Sequence, residues 1–115
     1  MFGKIKIDGK DYEMNANAAT PIRYKGVFHK DFLSVMSEIT DANAPEVSNV
    51  SSEIAFIMNM SAKKADMSML SYDDYIAWLE EIESPIAFVE CAPDILEFYT
   101  NTMDGSSESK KKAEE

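Results

Sequence analysis

Polar and apolar residues alternate at the start of the chain, through Lys4-Ile5-Lys6-Ile7 and again through Asp11-Tyr12-Glu13-Met14, with Asp8-Gly9-Lys10 between. A period of two marks strands, and an aspartate-glycine pair joining two such runs marks a tight turn, so residues 4–14 are predicted to form an antiparallel hairpin. One face of it offers Ile5, Ile7, Tyr12 and Met14. A lone two-stranded hairpin is marginal in water, so this face is expected to dock on helices. After the Asn15 to Ala19 connector the period becomes helical. Thr20 and Pro21 supply an N-cap hydroxyl and a first-turn proline, and Ile22, Tyr24 and Val27 followed by Phe32, Leu33, Val35, Met36 and Ile39 predict one or two helices over about 20–40, weakened at Gly26. Thr40 to Asn49, with Pro45, is expected to be a loop. Ser51 or Ser52 then caps a helix over 51–64. Its run from Ile54 to Met60 is almost wholly apolar, as in a helix packed between others, and Lys63 and Lys64 fall in its last turn, where they complement the negative helix end.

The main packing unit is expected in Ser71 to Met103. At about 100° per residue, Tyr75, Ile76, Trp78, Leu79 and Ile82 share one broad arc of a helix over 71–83, and Ser71 with Asp74 makes a relative of the capping box. Pro85 and Pro93 predict breaks near Ser84 and Ala92. The helical stretch over 86–103 buries Ile95, Leu96, Phe98, Tyr99 and Met103. From Asp104 to Glu115 no apolar residue larger than alanine occurs, which predicts a disordered tail after a single globular domain over 1–103. The expected fold is therefore α+β and mainly helical, an N-terminal β-hairpin packed on a bundle of about four helices.

Charge sharpens this picture. The chain has 115 residues, 45% hydrophobic content and a net charge of −10, enough apolar material for one core without disulfides or metal. No lysine or arginine occurs from Ala65 through Ser109, while the acids run from Asp66 to Glu108. That acidic surface argues against nucleic acid as a partner, since phosphate neutralisation needs clustered cations. The lysines at 110–112 sit beside Glu108, Glu114 and Glu115 and carry almost no net charge. No signal peptide and no apolar run near 18 residues is present, so a cytosolic protein without a membrane association is expected.

Candidate chemistry is sparse. The single cysteine, Cys91, and the single histidine, His29, have no recognisable motif around them, so Cys91 reads as a buried thiol and His29 as a polar residue at a helix boundary. The pairs Asp73/Asp74 and Glu80/Glu81 point in different directions on a helix and lack a calcium-loop pattern, which leaves them as a solvated face. No cofactor, metal or catalytic set is expected. Met58, Met60, Met67 and Met69 are more informative, because flexible thioethers suit surfaces that adapt to long or variable partners. Met58 reads as core; Met60, Met67 and Met69 divide between core and interface. Trp78 reads as a core residue, with an interface role as the alternative. Met60, Met67, Met69 and Trp78 are the candidate partner-binding residues.

Taken in order, a KIKIDGKDYEM hairpin, TPIRYKGVF with FHKDFLSVM, a YIAWLEEIE helix, a PDILEFYTNT helix and an SKKKAEE ending resemble the tail assembly chaperones of long-tailed (siphovirus-type) phages and prophages. The resemblance spans essentially the whole chain and rests on the order of features, since no single motif is specific. It implies a small non-catalytic protein of the host cytoplasm that binds the tape measure protein, and in some members the tail tube protein, during virion assembly and is absent from the mature particle. The alternative is a small structural tail or head-tail connector subunit retained in the virion. The oligomeric state stays open, a homo-oligomer included. Many members also occur in a longer form made by programmed frameshift. We therefore expect Lys110 to Lys112 to be encoded within a heptamer that permits a −1 shift, with the −1 frame open well beyond Glu115. The nucleotide sequence checks this directly: lysine codons outside such a heptamer, or an immediate −1 stop, refute it.

Overall fold

A computed structural model describes the side chains of residues 1–31, 34, 47–64 and 69–101, and the backbone alone of 44–46 and 102–114. Among the described residues two strands, β1 (Phe2–Ile7) and β2 (Lys10–Asn15), precede four helices, α1 (Thr20–Phe28), α2 (Ala44–Ala62), α3 (Tyr72–Glu80) and α4 (Ala87–Glu114). This is the mainly helical α+β fold with an N-terminal hairpin that the periodicity predicts.

The hairpin closes on Asp8 and Gly9, whose φ values of 51° and 81° place both in the left-handed region, the geometry that matches strand twist. The resulting register sets Ile5 opposite Tyr12 and Gly3 opposite Met14 on the inner face, and Lys4 opposite Glu13 and Lys6 opposite Asp11 on the outer. Opposite charges therefore face each other across the strands on the wet side, a favourable cross-strand arrangement. Ile5, Ile7 and Met14 are buried, with Tyr12 packed partly against the same core. Glycine at position 3 is required by close approach: a Cβ there would overlap the ring of Phe98 on α4.

Thr20 is the first residue of α1 and not its side-chain cap. Ala19 occupies the N-cap position with no capping bond, and the Thr20 hydroxyl instead accepts from the Asn17 backbone N–H at 2.9 Å. The helix ends early, at His29, whose left-handed backbone (φ 57°) turns the chain while its N–H donates to the Lys25 carbonyl at 2.8 Å. The rest of the helical stretch predicted over 20–40 falls largely on residues outside those described.

α2 departs most from expectation. It begins at Ala44 with Pro45 in its first turn, so residues 44–49 are helical and not loop, and Ser51 and Ser52 lie in the helix interior. Pro45 fits because a first-turn residue has no intrahelical N–H bond to lose. The nine residues from Ser51 to Asn59 are all buried. A helix sunk to that degree must satisfy its polar groups through neighbouring elements. Ser52 Oγ donates to the Asn49 carbonyl at 2.7 Å and lies 2.5 Å from the Tyr75 hydroxyl. Glu53 accepts from the Tyr24 hydroxyl at 2.6 Å and pairs with Lys30 at 3.2 Å. Asn59 donates through Nδ2 to the Glu13 carbonyl at 2.8 Å and accepts through Oδ1 from the Trp78 indole at 3.0 Å. The helix stops at Ala62, and Lys64 adopts φ 58°, so Lys63 and Lys64 follow the last turn instead of forming it.

α3 starts on a full capping box: Ser71 Oγ accepts from Asp74 N–H at 3.4 Å while the Ser71 N–H donates to the Asp74 carboxylate at 2.9 Å. It spans Tyr72–Glu80, shorter than the 71–83 predicted. Tyr75 and Trp78 are buried, but Ile76, at the margin of the predicted arc, is exposed. Aromatic edges connect the elements: Tyr12 to Trp78 with centroids 5.9 Å apart, Trp78 to Phe56 at 5.6 Å, Phe56 to Tyr75 at 5.5 Å and Tyr75 to Phe28 at 4.9 Å. Such tilted and edge-on pairs add to simple burial.

α4 runs from Ala87 to Glu114 without the break predicted near Ala92, and its backbone continues as helix over 104–114 where a tail was expected. Pro93 removes a bond to the Val89 carbonyl, yet Pro93 and Val89 are both exposed, so water can take the freed acceptor. Ile95 and Tyr99 are buried, Leu96 and Phe98 pack partly on the core, and the Met103 side chain falls outside those described.

Trp78 and Asn59 tie the hairpin, α2 and α3 together, so both should be costly to truncate. Trp78→Ala is expected to lower stability by about 3 to 5 kcal/mol. Asn59→Ala, which strands the indole N–H and the Glu13 carbonyl, should lower it by about 2 to 4 kcal/mol. Denaturant melts of the two variants measure this. An unchanged midpoint for Trp78→Ala together with weakened partner binding would instead make the indole an interface residue.

Candidate partner-binding groove

The C-terminal end of α2 and the length of α3 leave an open groove of about 320 Å³ between them. On α2, Phe56 and Met60 face it at positions i and i+4, with Lys63 at i+7 just past the helix end. On α3, Asp74, Ala77 and Trp78 face it at i, i+3 and i+4, with the C-cap Glu81 at i+7, and Met69 and Leu70 close one end. Two helices presenting one stripe each is the local reason that a groove exists: Ala77 is small, so the walls do not meet over it.

Three of the four partner-binding candidates converge here. Met60 is half-buried on the wall, Met69 stands 73% exposed on the lip, and Trp78 forms part of the wall although it is only 4% exposed. Trp78 is thus a core residue that shows one side to the groove, with its indole N–H already satisfied by Asn59. Met67 lies outside the described residues. The sequence reading did not single out Phe56, Leu70, Ala77 or Lys63 as site residues, though the i, i+4, i+7 stripe of Phe56, Met60 and Lys63 was there to be read.

The groove is apolar within and acidic at the α3 lip. Asp74 spends its carboxylate on the Ser71 N–H and hydroxyl. The Asp73, Glu80 and Glu81 carboxylates make no hydrogen bond or ion pair with any described residue. A smaller recess of about 260 Å³ lies on the other side of α3, where Ser52, Tyr75, Leu79, Ile82 and Phe88 meet beside the exposed Val89. Two of its polar groups, the Ser52 and Tyr75 hydroxyls, already face each other.

The titratable groups speak for structure. Burial pushes the Cys91 thiol up to about 11, reinforced by Asp94 and Glu90, so it stays protonated at neutral pH and is a poor nucleophile. His29 closes α1, whereas Cys91 sits in α4. Burial likewise raises the Tyr75 hydroxyl to about 12 and, with the Glu53 carboxylate as acceptor, keeps the Tyr24 phenol a hydrogen-bond donor. Among the described residues no group of three or more histidine, cysteine or acidic side chains could hold a metal ion, and no helix is long and apolar enough to cross a membrane.

Comparison with known proteins brings no match: no protein-family model, no curated protein and no solved structure aligns with this chain.

Because Cys91 and Tyr75 are acids whose folded-state pKa lies above the ordinary values of 9.0 and 10.0, the folded chain holds these protons more tightly than the unfolded one. Their contribution is complete below about pH 9 and is lost as pH rises toward 11 and 12. Stability is therefore expected to fall steadily above pH 9 in urea titrations, and iodoacetamide should modify Cys91 at pH 8 only after denaturant is added. Rapid modification of the native protein would contradict the burial.

Proposed function

We propose that this chain is a non-catalytic phage tail assembly chaperone that binds the tape measure protein and keeps it soluble until the tail tube grows around it. One observation supports the reading beyond the resemblance in the sequence: the groove between α2 and α3, in which adaptable methionine side chains stand over an aromatic wall beside unpartnered acids. A long helical partner exposes apolar stripes before assembly, and a flexible thioether surface can mask them without demanding one exact shape. Contact with apolar groups supplies the affinity; the acidic lip supplies steering and solubility, because exposed ion pairs contribute little each and are screened by salt. Release follows when tube subunits compete for the same stripes.

Co-expression with the tape measure protein tests this. Changing Met60, Met67 and Met69 together to serine should abolish co-purification while the helical circular dichroism signal stays intact. Raising salt from about 0.1 to 0.5 M, which cuts the Debye length from about 10 Å to less than half, should weaken binding only modestly. Failure of the wild-type pair to co-purify, or recovery of this chain in purified particles by mass spectrometry, would refute the chaperone role and favour a structural subunit of the virion.

A further inference from the structure

The groove has a length and a polarity that select its occupant. Each wall spans positions i to i+7, a rise of about 10 Å, which matches two turns of a third helix laid between them. Such a helix presents apolar side chains at i, i+3 or i+4, and i+7, the spacing that the α2 and α3 stripes themselves use. The two lips differ in charge. On the α3 side Glu81 lines the groove with its carboxylate unpartnered, and Asp73 and Glu80 stand on the exposed ridge behind it. On the α2 side the lining ends in Lys63, exposed at the end of the helix.

Resting on the partner-binding reading above, we propose that the groove holds a two-turn stretch of amphipathic helix carrying lysine or arginine along one edge. Its central apolar side chain enters between Met60, Met69 and Trp78. The cationic edge lies along α3 toward Glu81, and Lys63 disfavours cations on the opposite edge, so charge fixes which way the segment is rotated in the groove. Apolar contact holds it and the charges orient it.

Trp78 is the only tryptophan in the chain and lines the groove, so its emission reports occupancy by any tryptophan-free ligand. The full chain is titrated with an 18-residue amphipathic helix of leucine and lysine and, separately, with its leucine and glutamate counterpart. Expected are a saturable change in Trp78 emission with the lysine peptide and at least about tenfold weaker binding of the glutamate peptide. Asp73→Asn/Glu80→Gln/Glu81→Gln should weaken the lysine peptide about three- to tenfold, as the loss of a few exposed ion pairs allows. Met69→Ser should weaken both peptides, and Asp94→Asn/Glu97→Gln on α4 should change neither. Equal binding of the two peptides, or equal losses from the α3 and α4 acid variants, would overturn the proposal by showing attraction to net charge alone. So would a change in Trp78 emission with protein concentration in the absence of peptide that Met69→Ser removes, because a second copy would then be the occupant. The proposal and the chaperone reading fail separately. If the peptides behave as expected but the tape measure protein does not co-purify, the groove assignment stands without that partner. If the tape measure protein binds the Met69→Ser and α3 acid variants undiminished, its contact lies elsewhere and the groove assignment falls.

Discussion

Sinking the middle of α2 completely is the constraint on which the rest depends. From Ser51 to Asn59 the helix has no wet side, so its polar side chains cannot turn to solvent and each must find a partner on whatever packs against it. The partners are distributed: Glu53 reaches α1 through Tyr24, Ser52 reaches α3 through Tyr75, and Asn59 reaches both β2 and α3. Apolar contact alone would let these elements slide or rotate against one another. Hydrogen bonds fix their register, since displacing any one element leaves a buried donor or acceptor without a partner. Ser51 shows the limit of the scheme, because its hydroxyl is buried and finds no hydrogen-bond partner.

The groove follows from the same arrangement. Where α2 emerges from the core, at Met60 and Lys63, its stripe is no longer covered on all sides, and α3 crosses alongside with Ala77 as a spacer. The wall is firm because Phe56 and Trp78 belong to the aromatic chain of the core, whereas the lip is soft because Met69 projects freely. A rigid base with an adaptable rim suits a binding surface for helical segments of varied sequence better than it suits a catalytic site, where reacting groups must be held closely.

How much of this was legible depended on whether a local signal had one meaning. The Asp8-Gly9 turn and the Ser71/Asp74 box did, and the structure puts them where the pattern does. The serines at 51 and 52 did not. A serine hydroxyl bonds backbone groups at a helix start, but inside a helix it can bond a carbonyl one turn back, as Ser52 does to Asn49, and the sequence looks the same in both cases. Pro45 and Pro93 were ambiguous in the same way: Pro45 sits in the first turn, where no N–H bond is lost, and at Pro93 the exposed Val89 leaves its carbonyl open to water. The apolar arc of α3 was readable, yet which margin of it would stay dry was not: Tyr72 and Ile76 remain exposed while Tyr75 and Trp78 are buried. Met60, Met69 and Trp78 were legible as candidates by type. That they share one groove depends on how α3 lies alongside the end of α2, which no periodicity encodes.

The bond from Asn59 to the Glu13 carbonyl also bears on the order of events during synthesis. The hairpin leaves the ribosome first, but the side chain that ties β2 down is 46 residues further along the chain, and the indole that shares that amide later still. Until α2 and α4 have emerged, the apolar inner face of the hairpin lacks the helices that cover it, α2 along β2 and α4 against β1. The nascent chain carries that face uncovered until those helices form, and the outward pairs Lys4 with Glu13 and Lys6 with Asp11 put charge on an early sheet whose edges would otherwise invite pairing with its neighbours on a polysome.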